Sequence, residues 1–381
     1  MRGQVRKDAS GRWYIRFSVG SGAARRHVTR RGFPNRKTAD KALSEALTAV
    51  GRGDMASLTA PSSITIEAYL GSWLESRSGL KQSTQDSYRT IIKGWIVPQL
   101  GQLPLKSLTG ARIARWHNDL AASGGRGGRP LSAQSVTLAW RVLSMGLADA
   151  VESRQLPHNP ALDVPRRQRP TAKAQQQVGK VWSEEQAKKF LTATSGDRLS
   201  PLWVVLLTTG CRRGEALGLR WGDVDFIEGI ATLSRNRTPL NTGQVSEGSL
   251  KNGHARRVDL APAALAALRS WRAALAAERL AAGTAYEDSG YIFVDQLGAP
   301  LTPGSISETF KRAVAKVDVP AVTVHACRHT CGTLMLSHGV PVHVAAAMLG
   351  HDASVLLRLY AHVLPSSTKD AARLIDQALG G

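Results

Sequence analysis

Two stretches without hydrophobic periodicity, 51–63 and 166–180, cut this chain into three segments whose apolar residues recur with different spacings. The first break runs from Gly-Arg-Gly-Asp to Thr-Ala-Pro-Ser-Ser. The second mixes prolines, glutamines and five basic residues with no acid. A chain of 381 residues is long enough for two or three domains. The expected divisions are 1–55, 62–165, a basic linker at 166–180, and 181–381.

In the first segment Trp13, Ile15, Phe17 and Val19 alternate with Tyr14, Arg16 and Ser18, the period of a half-buried strand. Gly20–Gly22 supplies a turn, and 25–31 reads as a partner strand with a basic face. Ala39, Ala42, Leu43, Ala46, Leu47 and Val50 then fall at helical spacing, with Thr38 as the expected N-cap. From Ile64 onward four helical stripes follow, around Tyr69–Leu74, Tyr88–Ile96, Ile113–Leu120 and Val136–Leu147. Their tryptophans share the apolar stripes and are expected in the core. The third segment opens on a capping box at Ser183–Gln186. Helices around 201–219, a hairpin region over about 230–260, an Ala-rich helix from 262, a short strand at Tyr291–Val294 and further helix are expected beyond it. The fold class is multidomain and mainly α with small antiparallel sheets: a β-plus-helix module, a helical domain and a mixed α+β domain.

Charge is distributed unevenly over these segments. The chain carries a net +21, of which +9 lies in 1–60, +4 in 61–165, +5 in 166–180 and only +3 in 181–381. Such an excess points to a polyanionic partner, nucleic acid before membrane. The DNA-binding candidates are Arg16, Arg25, Arg26, Arg30 and Arg31 in the first module and Arg166, Arg167 and Arg169 in the linker. In the near-balanced third segment, arginines are expected to serve local purposes. No apolar run spans a bilayer, the N-terminus lacks an export signal's apolar stretch, and three cysteines make no disulfide framework. A cytoplasmic protein of a bacterial host, associated with the nucleoid, is expected.

Within 181–381 one order of residue types stands out: Arg212, Lys251, His325, Arg328, His351 and Tyr360. In Thr209-Gly210-Cys211-Arg212-Arg213-Gly214-Glu215, a glycine turn before a helix sets Arg212 where backbone N–H groups also favour anions. Lys251 falls in a turn between strand residues. His325 and Arg328 share a helix face. Met348-Leu-Gly-His351 ends one helix at a glycine, and Arg358-Leu-Tyr360-Ala-His lies on the next. Fixed cations neutralise charge on phosphoryl oxygens, and a phenol oxygen serves as nucleophile, so this set suits attack on a phosphodiester without a metal or other cofactor. His325, Cys327, His329 and Cys331 alternate along a helix, where residues two apart point away from one another, which disfavours zinc. Cys211 and Cys327 are read as small buried hydrophobes.

Carried by Thr-Gly-Cys-Arg212-Arg-Gly-Glu, Lys251, His325-Ala-Cys-Arg328-His-Thr, Leu-Gly-His351 and Tyr360-Ala-His, the chain resembles a tyrosine recombinase of the phage-integrase family over about 62–365. The resemblance implies a site-specific recombinase of a phage or other mobile element, acting through a 3′-phosphotyrosyl intermediate and a Holliday junction. It assigns Tyr360 as nucleophile and Arg212 and Arg328 as clamps on the non-bridging oxygens. His351 adds a further hydrogen bond, Lys251 is acid for the leaving 5′-oxygen, and His325 assists proton transfer. Glu215 orients Arg212. Cys327 stands where the family commonly has Leu, and Leu356 where it often has Thr. The first module resembles an arm-site DNA-binding domain, and 62–165 a SAM-like core-binding domain. Implied partners are double-stranded DNA at core and arm sites, a homotetramer on DNA, a host DNA-bending protein and an excision directionality factor. A terminal helix near 367–378 is expected to pack on its own domain or on a neighbouring subunit. The competing readings are a cellular chromosome-dimer-resolving recombinase and a catalytically silent DNA-binding regulator.

Overall fold

A computed structural model describes residues 3–8, 11–19, 26–51, 64–171, 181–250, 255–360, 373 and 375–379. The chain divides into two compact units, Met1–Lys173 and Ala174–Gly381. Among the described residues no helix is long and apolar enough to cross a membrane.

The N-terminal module is a three-stranded antiparallel sheet, β1 (Gly3–Lys7), β2 (Trp13–Val19) and β3 (Arg26–Phe33), followed by α1 (Arg36–Gly51). Strand β1 was not foreseen, because its residues Gly-Gln-Val-Arg-Lys carry one apolar side chain and no readable alternation. Helix α1 is capped by Asn35 rather than by Thr38: the Thr38 N–H donates to Asn35 Oδ1 at 2.9 Å, which places Thr38 inside the first turn. Ile15, Phe17 and Val19 form a small core with Ala39, Ala46 and Val50. Register then sorts the basic residues by face. Arg16 lies opposite Thr29, Tyr14 opposite Arg31 and Gln4 opposite Arg16, while Ile15 lies opposite Arg30 and Val19 opposite Arg26. Directly opposed residues share a face. Arg16 and Arg31, joined by Arg6, therefore occupy the face away from the core, whereas Arg26 and Arg30 sit on the face of Ile15 and Val19, along the edge strand.

The helical domain comprises α2 (Ile66–Ser76), α3 (Gln82–Ile91), α4 (Gly110–Ser123) and α5 (Ala133–Glu152). A π-turn at Ile92–Ile96 extends α3 into Val97–Leu100. The four expected stripes form one core, in which Trp73, Trp116 and Trp140 are buried. Their polar edges are satisfied: Trp73 Nε1 donates to Asp149 Oδ2 at 2.7 Å and Trp116 Nε1 to the Trp95 carbonyl at 2.8 Å. Helices α2 and α5 touch at Gly146, where the Tyr69 hydroxyl donates to the glycine carbonyl at 2.7 Å.

The C-terminal unit begins with α6 (Glu184–Ala193), closed by the expected Ser183–Gln186 capping box. Next come α7 (Ser200–Thr209) and the short α8 (Arg213–Leu217). The strands are β4 (Val224–Asp225), β5 (Ile230–Leu233), β6 (Arg235–Pro239), β7 (Val245–Ser249) and β8 (Arg256–Asp259). They make a sheet in the order β4-β5-β8 and a separate β6-β7 ladder. Helices α9 (Pro262–Ala282), α10 (Pro303–Ala315), α11 (Val324–Ser337), α12 (Val342–Leu349) and α13 (Ala353–Tyr360) complete it. The strand expected at Tyr291–Val294 reduces to isolated bridges, Arg220 with Tyr291 and Val294 with Pro300. Ile292, Phe293 and Val294 are buried, so hydrophobic burial rather than a ladder explains that apolar run. Helix α7 is apolar on nearly every side, with Leu202, Trp203, Val205, Leu206 and Leu207 buried, and it packs on α9 and α11. Residues 375–378 are helical, while the start of the terminal helix expected near 367–378 lies outside the described residues.

Candidate active site

The site grows from the end of α7. Gly210 closes that helix with φ +60°, a conformation that favours glycine. Space reinforces the requirement: a Cβ there would lie 2.4 Å from Leu349 Cδ2 and 3.1 Å from Cys331 Sγ. Gly210→Ala is therefore expected to destabilise the protein by about 2–4 kcal/mol, combining left-handed strain with overpacking, as read by urea unfolding. Unchanged stability would show that the α7–α11–α12 junction is loosely packed.

Two residues on, Arg212 is the N-cap of α8. Its backbone N–H donates to Glu215 Oε2 and its Nη1 to Glu215 Oε1, both at 2.8 Å. The Glu215 side chain is 1% exposed and also accepts two bonds from Arg256, at 3.0 and 2.7 Å. Burial alone would raise its pKa, but Arg256 and then Arg212 outweigh that and hold it at about 2. Glu215 thus contacts Arg212, the residue it is expected to orient, and a second guanidinium, from Arg256, shares the same carboxylate.

Arg328, on α11, is 1% exposed. Its Nη1 donates to the Gly210 carbonyl at 2.9 Å, while Nε and Nη2 are buried and, among the described residues, without a hydrogen-bond partner. Burial, followed by repulsion from Arg212, lowers its pKa to about 10. His325 is one turn N-terminal on the same helix; its pKa is lowered by burial and then by Arg328, Arg212 and Arg213. Its ring meets His329 edge-on, with centroids 4.8 Å apart. His351 follows Gly350, which ends α12 with φ +65°. Its Nδ1 is buried without a partner among the described residues, and burial, then Arg328 and Arg212, push its pKa down to about 4. Four residues from three helix ends thus converge: Arg212, His325, Arg328 and His351. Beside Arg212 and His325 opens a cavity of about 440 Å³, lined also by Arg213, Asn236, Thr238 and Ser307.

The histidines carry a stability consequence. His329 and His351 both titrate at about 4 in the folded chain against 6.5 ordinarily. Between those values the unfolded chain binds more protons, so stability is complete above pH 6.5 and falls as pH drops toward about 4. Urea midpoints are expected to decline across that window, and less so in a His351→Asn variant. A flat profile would mean the histidines stay hydrated.

Of the remaining expected residues, Lys251 and Arg25 lie outside the described residues. Tyr360 is the last residue of α13, its side chain outside the described set. Arg166 and Arg167 are exposed on a 3-10 turn. Arg169 instead donates to its own chain, at 2.9 Å to the carbonyls of Val164 and Leu162, so the linker's start is folded back rather than extended. Cys211, Cys327 and Cys331 are all buried, and burial raises their thiol pKa values, to about 11 for Cys211 and about 12 for Cys331. On α11 the alternating set divides: His325 and His329 meet ring to ring, and the thiols of Cys327 and Cys331 are buried. Arg256 was not foreseen. It lies in the Leu250–Arg257 segment that drew attention for Lys251, and no local pattern distinguishes it from Arg257.

Comparisons with known proteins agree with this architecture. The profile described as Phage integrase family matches residues 180–367, and the one described as Phage integrase, N-terminal SAM-like domain matches 65–121. The chain is 27% identical over 309 residues to a "Tyrosine recombinase XerC-like" protein of Caldanaerobacter subterraneus subsp. tengcongensis, covering 76% of this chain and 75% of that one. It is 25% identical over 364 residues to an integrase of Streptomyces ambofaciens, covering 91% and 87%. The Tn1549 transposon integrase in complex with transposon right end DNA superposes with TM-score 0.67 at 20% identity, covering 84% of this chain and 100% of that one. A lambda integrase dimer bound to a COC′ core site gives 0.57 at 19% identity, covering 92% and 93%. The fold is that of the tyrosine integrases, a SAM-like helical domain ahead of an α+β domain. This chain belongs to the phage integrase family and is a tyrosine-type site-specific recombinase.

Proposed function

We propose that the chain cuts and rejoins double-stranded DNA at specific sites, with Tyr360 as the nucleophile and Arg212, Arg328, His325, His351 and Lys251 around the scissile phosphate. One observation carries the reading: Arg328 Nε and Nη2 and His351 Nδ1 are buried without a hydrogen-bond partner among the described residues, with Arg212 close enough to depress the pKa of both His351 and His325. Leaving such donors unsatisfied is costly, and a phosphoryl oxygen would satisfy them.

In this mechanism the Tyr360 oxygen attacks phosphorus, the P–O5′ bond breaks, and a 3′-phosphotyrosyl ester forms. Lys251 supplies the proton to the leaving 5′-oxygen. Arg212 and Arg328 neutralise the charge growing on the non-bridging oxygens, and His351 adds a hydrogen bond when protonated or in its N–H tautomer. His325 is neutral near pH 7, since its pKa lies below 6.5, and so is able to accept the phenol proton. The ester is conserved in the phosphotyrosyl bond, so a 5′-hydroxyl from a second DNA strand reverses the step without an external energy source. Strand exchange through a Holliday junction then calls for four protomers. The module at 1–55 would hold arm sites through Arg16 and Arg31, and the domain at 62–165 would join the catalytic domain, 181–381, on core sites. A host bending protein and a directionality factor would complete integration and excision.

The test uses nicked suicide substrates bearing sites selected for binding, with chelator present. A covalent protein–DNA adduct on the 3′ side of the nick is expected. A DNA that is bound but never trapped would reject the reading in favour of a silent DNA-binding regulator.

A further inference from the structure

Arg256 has no part in the chemistry above, yet it touches both halves of the site. It is the first residue of β8 and pairs with Leu233 of β5, so its backbone is fixed by the sheet. Its Nη1 and Nη2 grip the two oxygens of Glu215 at 3.0 and 2.7 Å, a fork-on-fork pair. Its Nε donates in another direction, to the Met348 carbonyl at 3.2 Å in the last turn of α12. Its stem lies against Gly350: a Cβ on that glycine would stand 3.0 Å from Arg256 Cδ. The side chain is only 13% exposed.

These contacts form a chain of support. Arg212 hangs on Glu215, Glu215 on Arg256, and Arg256 on the helix end that delivers His351. Without the Nε bond, α12 would lose a tie to the sheet that carries the guanidinium. Without the fork, Glu215 would hold Arg212 alone. We infer that Arg256 is a positioning residue that sets the spacing between Arg212 and His351, and this rests on the function proposed above. Lysine cannot substitute: one ammonium has no planar fork able to hold both Glu215 oxygens while also donating to Met348. A residue needed only to neutralise buried Glu215 would tolerate lysine, and that difference separates the two roles.

The experiment uses the full chain as Arg256→Lys and Arg256→Gln, alongside wild type. Core-site affinity, the rate of suicide-substrate adduct formation between about pH 5 and pH 9, and thermal melting are measured. His351 ring resonances are followed by NMR in the DNA-free protein. Affinity is expected to hold, and the adduct rate to fall about 100-fold in both variants, the scale of a misplacement of about an ångström. The His351 resonances should move in both. The glutamine variant should also gain an acid limb in its rate profile. Glu215 is faced by Arg212, Arg256, Arg328 and Cys211, and losing Arg256 removes the strongest influence holding its pKa down. Lysine restoring the wild-type rate would overturn the inference. So would binding, rate and melting falling together with no movement of His351. If wild type forms no adduct but its His351 resonances still respond to Arg256→Lys, the proposed reaction fails and the positioning role stands.

Discussion

Replacing Tyr360 with phenylalanine is expected to abolish covalent adduct formation while leaving DNA affinity unchanged. The substitution removes one oxygen and keeps the ring, so it changes the size and shape of the side chain little. It deletes the phenol oxygen that the proposal assigns to the phosphate ester. Arg212, Arg328, His325 and His351 offer cationic or imidazole nitrogen, which serves charge stabilisation and proton transfer. Loss of a covalent nucleophile typically slows an enzyme on the order of 10⁶-fold, beyond the reach of gel detection. Adducts persisting in Tyr360→Phe at more than a trace would assign the nucleophile elsewhere.

Arg328→Met is expected to move activity and stability in opposite directions. The guanidinium is 1% exposed, held to the fold among the described residues by one hydrogen bond to the Gly210 carbonyl, and its charge is disfavoured by burial and by Arg212. On the function proposed above, a phosphoryl oxygen would complete this site. Methionine fills similar volume without a buried charge. The DNA-free variant is expected to gain about 1–4 kcal/mol, offset by about 1 kcal/mol for the bond lost at Gly210. Adduct formation should fall by about 10²–10³-fold, as for removal of one preorganised donor to a developing oxyanion. Phosphate added to the DNA-free protein should raise the melting temperature of wild type more than that of the variant, because only wild type binds the anion at this point. A variant that melts lower than wild type and responds equally to phosphate would make Arg328 a structural residue.

Elements governed by neighbours in the chain were the most legible. The Ser183–Gln186 capping box, the helical stripes of 64–165 and the glycine ends of α7 and α12 all rest on spacings within one or two turns. One failure was local, and the others came where a distant partner decided. Asn35 displaced Thr38 as cap because the helix began a turn earlier than its apolar residues. Of the run at 291–294, Ile292, Phe293 and Val294 are buried without a ladder. The partner strand with a basic face, expected at 25–31, also carries arginine on its other side: antiparallel pairing puts Arg31 with Tyr14 and Arg30 with Ile15.

The sequence by itself determined the order of the candidate catalytic residue types, the helix ends that carry Arg212, His325, Arg328 and His351, and the uneven charge that separates a basic N-terminal half from a nearly balanced C-terminal one. These depend on local spacing and on composition, which folding does not alter. Only the tertiary structure decided that Arg328 is buried with two nitrogens lacking partners among the described residues, that Glu215 serves two arginines, and that Arg256 ties β8 to the helix before His351. Burial and electrostatic coupling are set by groups far apart in the chain, and their partners are chosen only when α7, α8, α11, α12 and β8 pack together.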